Sequence, residues 1–377
     1  METRHGRLRE LCLLFLQLGA TAFGGPAAHI ALMREEVVRR RRWMDDRRFL
    51  DLLGATNLIP GPNSTEMAIH TGAVRAGWRG LLVAGASFIL PAALIVLALA
   101  WAYVRWGATP AAEGLLYGLE PVVIAVVFHA LVPLGRAATS DLWTAGVGVA
   151  SIALYLAGAN ELAIMAGGGL VVGLVRNAGR LWAGRTSLLA WLWVVPLAQA
   201  ARAAAELDRL FLLFLKVGAV LYGSGYVLLA FLRSDLVVER GWLTEGQLLD
   251  AISIGQVTPG PVFTTATFVG FVVESWWGAV VATVGIFVPS FVFVALSGPL
   301  IPRIRRSAWA GAFLDGVTVA ALGLMAGVTW QLALRAVVDV PTGLIAAAAA
   351  GILFATRLNP VWPILAGAAL GLAIRGI

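Results

Sequence analysis

The chain has 377 residues, of which 59% are hydrophobic and 13% charged, and its mean hydropathy is +0.85. A soluble domain usually has about 25% charged residues, so this composition excludes an ordinary soluble protein. The net charge of +7 does not indicate nucleic-acid binding, because the arginines lie in short loops between apolar runs, as in membrane proteins. The single cysteine, Cys12, excludes a disulfide framework or a cysteine-based metal site within one chain.

Long uncharged runs set the fold class. About 20 helical residues cross a hydrocarbon core of about 30 Å, so runs of this length without Asp, Glu, Lys or Arg predict transmembrane helices. The sequence therefore predicts an all-α, multi-pass membrane protein. The runs are 80–104, 251–273, 275–302, 316–334, 340–356 and 358–374.

The first two apolar segments are interrupted near their midpoints. Segment 11–33 contains Gly24-Gly25-Pro26, and segment 49–75 contains Pro60-Gly61-Pro62. Both segments have arginines at both ends, which a simple span would place on opposite sides of the membrane. We expect each segment to form a re-entrant hairpin that returns to the side it came from. The alternative is a kinked span with a poor charge fit.

The chain repeats itself. Trp43, Asp51 and Pro60-Gly61-Pro62 recur 199 residues later, and Gly72, Trp78 and Pro91 recur at a spacing of 198. We predict an N-terminal repeat over 8–176, a linker over 177–206 and a C-terminal repeat over 207–377. Each repeat has six apolar segments, and the linker adds one span at 186–201, which gives about thirteen.

The arginine distribution predicts that the two repeats are inverted. Loop 34–48 carries seven arginines, whereas the equivalent loop 233–247 carries two. Every informative pair of loops reverses its bias in this way. By the positive-inside rule, the repeats then lie in the membrane with opposite topology, which is a recurring architecture of transporters.

The interrupted segments predict an anion site. Proline lacks an N–H, so Pro-Gly-Pro ends one helix and starts another. The free N–H groups and the positive end of the dipole at a helix start bind anions. The alternative is a kink filled by neighbouring residues. The predicted breaks are Pro60, Gly61, Pro62, Pro259, Gly260 and Pro261, and the predicted substrate-binding residues are Asn63, Ser64, Thr65, Thr264, Thr265, Lys216, Gly24, Gly25, Gly223 and Ser224.

Ionisable and polar residues inside apolar segments are functional candidates. Lys216 is the only lysine of the chain, and we expect it to contact either the substrate or a carboxylate such as Glu66. His70 follows Glu66 by four residues on the same helical face, where the two side chains can bond each other. We assign Glu66, His70, Asn57 and Gln256 to coupling or gating.

These motifs resemble the chromate ion transporter family, in its two-domain form. The resemblance rests on Phe23-Gly24-Gly25-Pro26, Trp43-Met44-Asp45 and Asn57-Leu58-Ile59-Pro60-Gly61-Pro62 in the first half, and on Gln256-Val257-Thr258-Pro259-Gly260-Pro261 in the second. It implies a bacterial inner-membrane protein that exports chromate, confers chromate resistance and is driven by the membrane potential or an ion gradient. It implies no cofactor, and a homodimer stays open.

Two alternatives remain. Sulfate has the same tetrahedral shape and charge as chromate, so it or another oxyanion is the main alternative substrate. An intramembrane enzyme or a scaffold is the alternative class. The chain contains neither Gly-x-x-x-x-Gly-Lys-Ser/Thr nor His-Glu-x-x-His, so we expect no P-loop, no zinc-protease site and no enzymatic activity.

Overall fold

The structure is a computed structural model that describes residues 4–23, 25–56, 58–182, 206–222, 227–356 and 358–375. All regular elements within these ranges are helical. Gly24, Asn57, Gly223, Ser224 and the predicted linker span 186–201 lie outside the described residues.

The first half contains seven α-helices and a π-helical stretch, Glu35–Arg40, that continues α2. The helices are α1 (Arg4–Thr21), α2 (Gly25–Arg34), α3 (Asp46–Thr56), α4 (Asn63–Trp106), α5 (Pro110–Ala138), α6 (Leu142–Leu156) and α7 (Glu161–Trp182).

The second half follows the same order. A π-helical stretch, Arg233–Glu239, follows α9, and a short 3-10 helix, Val262–Thr264, precedes α11. The α-helices are α8 (Glu206–Val220), α9 (Leu228–Leu232), α10 (Glu245–Val257), α11 (Thr265–Arg306), α12 (Ala308–Ala336), α13 (Val340–Ala355) and α14 (Val361–Arg375).

Five of these helices are long and apolar enough to cross a membrane, and three shorter helices are also apolar. The long spans are 63–106, 110–138, 161–178, 262–297 and 308–336. Their outward surfaces carry large apolar side chains, among them Trp78, Leu94, Trp277 and Leu334, each more than half exposed. Such surfaces are stable against lipid but not against water. The prediction of a multi-pass, all-helical membrane protein is confirmed.

Each of the two longest helices contains a sharp break. Ala76 and Gly77 leave helical geometry within α4, as do Glu274 and Ser275 within α11. The breaks divide α4 into 63–75 (α4a) and 78–106 (α4b), and α11 into 265–273 (α11a) and 276–306 (α11b).

Glycines allow the two parts of each broken helix to fold back on each other. A β-carbon on Gly72 would clash with the carbonyl oxygen of Gly80, and one on Gly270 would clash with that of Gly278. Eight residues of straight helix would separate such a pair by about 12 Å. The contact therefore shows that α4a and α4b lie against each other, and so do α11a and α11b.

The centre of the molecule is formed by α4 and α11, which pack together and against α1 and α8 respectively. Leu81 on α4b shares a hydrophobic cluster with Val294 on α11b, and Gly85, one turn further on, faces Phe291. The residue numbers rise on one helix as they fall on the other, so α4b and α11b are antiparallel.

Both halves use the same cap before an equivalent helix. Asp141 and Thr144 form a capping box at the start of α6, and Asp339 and Thr342 form one at the start of α13. Arg176 binds the first carboxylate at 2.7 Å, and Arg375 binds the second at 3.2 Å. A capping box satisfies two backbone N–H groups that a helix start otherwise leaves without partners.

Candidate functional site

The candidate site is formed by the two Pro-Gly-Pro loops, which lie between α3 and α4 and between α10 and α11. Each loop hydrogen-bonds to the opposite half of the molecule. The Gly61 N–H donates to the carbonyl oxygen of Leu221 at 2.8 Å, and the Gly260 N–H donates to that of Ala22 at 2.9 Å. Ala22 directly follows α1 and Leu221 directly follows α8, so the loops and the ends of these helices meet in one place.

Further contacts hold this region together. The Tyr222 hydroxyl donates to the carbonyl oxygen of Leu58 at 3.2 Å. His29 Nε2 lies 3.0 Å from the carbonyl oxygen of Ala22, which also accepts the bond from Gly260. Irregular backbone at membrane depth is stable only when it is buried in protein or lines a cavity, and these bonds meet that requirement.

Both helix starts lack a side-chain cap. Pro62 precedes α4 and Pro261 precedes the 3-10 turn before α11, and neither position offers a side-chain acceptor. The first N–H groups of a helix have no partner within the helix itself. Ser64 and Thr65 in the first turn of α4 therefore present backbone donors at the first loop, and Asn63 begins the same turn.

Buried polar groups without partners cluster at the first loop. Glu66 is 0% exposed, and neither of its carboxyl oxygens has a hydrogen-bond partner. The hydroxyls of Thr65 and Ser290 are also buried without partners. A β-carbon on Gly61 would clash with Glu66 Oε1 and would lie 2.7 Å from Ser290 Oγ, so these groups surround Gly61. Most buried polar groups in proteins are paired, so this cluster indicates a ligand site.

The second loop differs. The Thr264 hydroxyl donates to the carbonyl oxygen of Pro261 at 2.7 Å, and the Thr265 hydroxyl donates to that of Val262 at 2.8 Å. Ala92 takes the position equivalent to Ser290 and faces Gly260. The amide nitrogen of Gln256 is buried without a partner. The two loops thus share a backbone frame but not their polar side chains.

A cavity of about 650 Å³ lies between α3, α4 and α11. Arg48 and Asp51 on α3 line it together with His70 on α4a and Ser297 on α11. His70 lies one helical turn beyond Glu66, and its Nε2 atom has no partner. The hydrogen bond between Glu66 and His70 that the sequence suggested is not formed, because the Glu66 oxygens are unpartnered.

Lys216 does contact a carboxylate, but it is Asp235 and not Glu66, the example named from the sequence. Lys216 Nζ lies 2.9 Å from Oδ1 and 3.0 Å from Oδ2 of Asp235, whose side chain is 4% exposed. Asp235 belongs to the π-helical stretch after α9, which brings it back beside α8. Arg240 also reaches this carboxylate, at 3.4 Å. Lys216 is therefore neutralised locally, and Glu66 has no basic partner among the described residues.

Some of the remaining predicted residues lie at helix starts, and the others are not described by the structure. Gly25 begins α2 with a positive φ of 76°, and Asn63 and Ser64 form the first turn of α4. Gly24, Asn57, Gly223 and Ser224 lie outside the described residues. Among described residues, no group of three His, Cys, Asp or Glu side chains is placed to hold a metal ion. The sequence did not point to Ser290 or Tyr222, whose contacts join distant parts of the chain.

Comparisons with known proteins agree with the resemblance. The chain is 33% identical over 372 residues to a chromate transport protein of Cupriavidus metallidurans, covering 96% of this chain and 92% of that protein. It is 32% identical over 380 residues to a chromate transport protein of Pseudomonas aeruginosa, covering 96% and 91%. It is 31% identical over 344 residues to a probable chromate transport protein of Synechococcus elongatus, covering 90% and 88%.

No solved structure matches the chain. The sequence model of the chromate transporter family matches residues 9–174 and again residues 209–372, which together make up most of the chain. The protein therefore belongs to the chromate transporter family.

Proposed function

We propose that this protein is a secondary transporter that exports chromate across the bacterial inner membrane and so confers chromate resistance. The observation that carries the proposal is the first Pro-Gly-Pro loop. There an uncapped helix start meets buried hydroxyl groups that have no partner. A helix start binds anions through its free N–H groups and its dipole.

The substrate oxyanion binds at the start of α4. The backbone N–H groups of Asn63, Ser64 and Thr65 donate to it, as do the hydroxyls of Thr65 and Ser290. Thr264 and Thr265 form the second, weaker part of the site, because their hydroxyls already bond the backbone. Lys216, which is bound to Asp235, acts from a distance. Gly24, Gly25, Gly223 and Ser224 complete the proposed binding residues.

The proposed route to this site is the cavity beside α3. Arg48 offers a cation to an entering anion beside Asp51 in the wall of the cavity, and His70, one helical turn from Glu66, lines the cavity as well. We assign Glu66 and His70 to coupling or gating at this position. Asn57 and Gln256 precede the two Pro-Gly-Pro loops at equivalent positions, and we assign them the same role.

We further propose that the first two segments of each half are re-entrant. The α3 helix has 11 residues and rises about 16 Å, and α4a rises about 20 Å, so neither crosses a core of about 30 Å. The end of α4a also returns to the start of α3, because Arg75 lies 5.1 Å from the ring centre of Trp43. Arg75 pairs with Glu10 near the start of α1 as well, at 3.1 Å.

We also propose that the two halves are inverted repeats, as the arginine distribution predicts. The antiparallel packing of α4b against α11b supports this proposal, because the two helices are equivalent in the repeat. The crossed bonds from Gly61 to Leu221 and from Gly260 to Ala22 support it too, since the two donors are 199 residues apart and so are the two acceptors. An inverted pair of repeats places the substrate site near the middle of the membrane.

Transport by the purified protein in liposomes tests the proposal. Protein-containing liposomes should accumulate chromate when the membrane potential is positive inside. The chromium recovered from the liposomes should still be chromate. Chemical conversion of chromate would indicate an enzyme, and neither flux nor conversion would indicate a scaffold. Sulfate that halves the chromate flux when both ions are present at the same saturating concentration would make sulfate an equally good substrate.

A matched pair of variants tests the site. Ser290→Ala gives the first loop the same residue that faces the second loop, Ala92, so the fold should tolerate it. Losing a hydrogen bond to a charged ligand costs about 1.5–3 kcal/mol, so chromate affinity should fall about tenfold or more. The reverse change, Ala92→Ser, adds the hydroxyl at the second loop and should leave affinity near that of the wild type. Equal affinities for wild type and Ser290→Ala would remove Ser290 from the site.

A further inference from the structure

Glu66 is an unusual residue for an anion site. Its carboxyl group is fully buried, and both oxygens are without a hydrogen-bond partner. Lys216, the cation that could have neutralised it, is bound to Asp235 instead. A buried carboxylate without a cation or a hydrogen-bond donor is strongly destabilised relative to water.

The described side chains around Glu66 include no lysine, arginine or second carboxylate. Tyr222, which follows α8, lies close enough to interact with it electrostatically, and His70 lies one turn away on α4 itself. Ser290 on α11 and Thr65 on α4 are neutral hydroxyls. The titratable groups on the other helices packed against α4 are engaged elsewhere: Glu10 with Arg75, His29 with the carbonyl oxygen of Ala22, Asp250 with Tyr103, and Asp51 at the wall of the cavity.

The charge of Glu66 decides whether an oxyanion can bind beside it. An ionised carboxylate would repel a dianion at the start of α4, and low dielectric strengthens that repulsion. A protonated carboxyl is neutral and carries an O–H that can donate to an oxyanion oxygen. The unpartnered oxygens of Glu66 leave this O–H free to point to the ligand.

We infer that Glu66 carries a proton while it is buried beside the bound oxyanion and gives that proton up only when the site opens to water, so that the protein moves one proton together with each oxyanion in the same direction. The inference rests on the proposed function. In the bound state the Glu66 O–H donates to an oxyanion oxygen, and the Thr65 and Ser290 hydroxyls donate to others. When the oxyanion leaves, the proton leaves Glu66 to water on the same side.

The second half of the chain explains why only one proton moves with each oxyanion. The positions equivalent to Glu66 are Thr265 at a spacing of 199 and Thr264 at a spacing of 198; neither side chain titrates, and both hydroxyls are bonded to backbone carbonyl oxygens. The site therefore has one protonatable carboxyl among its described residues, although the frame around it is duplicated.

A pH gradient in liposomes tests this inference. Wild-type protein is reconstituted with equal chromate on both sides, and the membrane potential is held at zero with potassium and valinomycin. A gradient of about one pH unit should then accumulate chromate about tenfold on the alkaline side, because one proton carries about 1.4 kcal/mol per pH unit. Wild-type protein that moves chromate down its own gradient but does not respond to pH would overturn the inference. Absence of any chromate flux would instead contradict the proposed function.

Variants locate the proton. Glu66→Gln cannot ionise, so whatever chromate flux it retains down a chromate gradient should no longer respond to the pH gradient. Accumulation that persists in this variant would place the proton on the substrate and overturn the assignment. If Glu66→Gln moves no chromate, Glu66→Asp decides: it keeps an ionisable group and should keep accumulation, and its loss would count against the inference.

Asp250→Asn is the matched control. Asp250 is a second buried carboxyl, whose Oδ2 accepts a hydrogen bond from Tyr103 at 2.7 Å. Asparagine retains an acceptor oxygen for this bond and removes the ionisable group. Chromate accumulation driven by pH should survive in Asp250→Asn. Loss of that accumulation in Asp250→Asn together with its retention in Glu66→Gln would show that Asp250 carries the proton, and would overturn the inference.

Discussion

Thr65 and Thr264 are equivalent in the repeat, yet their hydroxyls are in different states. The Thr65 hydroxyl is buried without a partner, whereas the Thr264 hydroxyl donates to the carbonyl oxygen of Pro261. A free donor can bind a ligand without giving up another bond. A donor that is already paired gains little from exchanging a carbonyl for an anion.

We therefore predict unequal effects from equal substitutions. Thr65→Val removes the free hydroxyl at nearly constant volume and should weaken chromate binding about tenfold, because a bond to a charged partner is worth about 1.5–3 kcal/mol. Thr264→Val should weaken binding by less than a factor of about three. Binding isotherms in detergent measure both. Equal losses would mean that the oxyanion contacts both helix starts.

Lys216 is predicted to act mainly through Asp235. Lys216→Gln leaves Asp235 with only Arg240 at 3.4 Å, and the partly exposed pair limits the loss of stability to about 1–2 kcal/mol. The double variant Lys216→Gln with Asp235→Asn removes both charges and should recover most of the lost stability. The wild type, the two single variants and this double variant form a double-mutant cycle. Thermal unfolding of the four proteins gives the coupling energy. A chromate flux lost in both single and double variants would show direct substrate contact.

At the scale of helices, α4 and α11 break at equivalent positions, but the residue with positive φ is a glycine in α4 and a serine in α11. Gly77 has a φ of 66° and Ser275 a φ of 54°, so both use backbone geometry that favours glycine. Around Gly77, a β-carbon would meet nothing within 4 Å, so the constraint there is purely conformational.

Ser275→Gly should therefore stabilise the protein by about 1 kcal/mol. Relief of the backbone strain, roughly 1–3 kcal/mol, exceeds the entropy cost of a glycine, about 0.5–1 kcal/mol. Gly77→Ala is the matched opposite change and should destabilise by a similar amount. The midpoints of thermal unfolding in detergent should move in opposite directions, and a shared direction would contradict the assignment of strain.

The cap of α6 predicts a pH dependence outside the membrane spans. The backbone N–H of Thr144 and the guanidinium of Arg176 lower the pKa of Asp141 from 3.8 to about 2. A pKa that is lower in the folded state gives stability above pH about 4, and that stability is lost as the pH falls through about 2.

The variant Asp141→Asn keeps an acceptor for the cap but cannot ionise. Its stability should lie below that of the wild type at neutral pH, and the difference should shrink between about pH 4 and pH 2. Unfolding midpoints of both proteins across this range measure the effect. A difference that stays constant down to pH 2 would show that the charge of Asp141 plays no part.

For the whole molecule, the central prediction is the inverted topology. In a Cys12→Ser background, single cysteines at Arg41 and Arg240 should react with an impermeant thiol reagent from opposite sides of the membrane. The two loops carry seven and two arginines, so the positive-inside rule places them on different sides. Reaction of both cysteines from the same side would contradict the inverted arrangement.

The sequence predicted the membrane class and the family well, because both depend on long runs and on motifs of consecutive residues. The sequence did not predict contacts between side chains that are far apart along the chain. Ser290 comes within contact distance of Gly61 only because α4 and α11 pack together, and an isolated serine in an apolar run carries no special pattern. Lys216 needed a carboxylate, and the chemistry favoured Glu66 as much as Asp235. The π-helical stretch after α9 decided between them, and a single sequence does not reveal such a stretch.

The crossed hydrogen bonds at Gly61 and Gly260 have a consequence for evolution. Both join a backbone amide to a backbone carbonyl, so no side chain is needed to hold the two halves in register. A β-carbon at either glycine would clash with its surroundings, but as long as the two glycines are kept, changes of the neighbouring side chains leave both amides in place. The side chains around each loop were therefore free to diverge after duplication, as Glu66 did from Thr265 and Ser290 from Ala92. One half could keep an inert loop while the other acquired the chemistry.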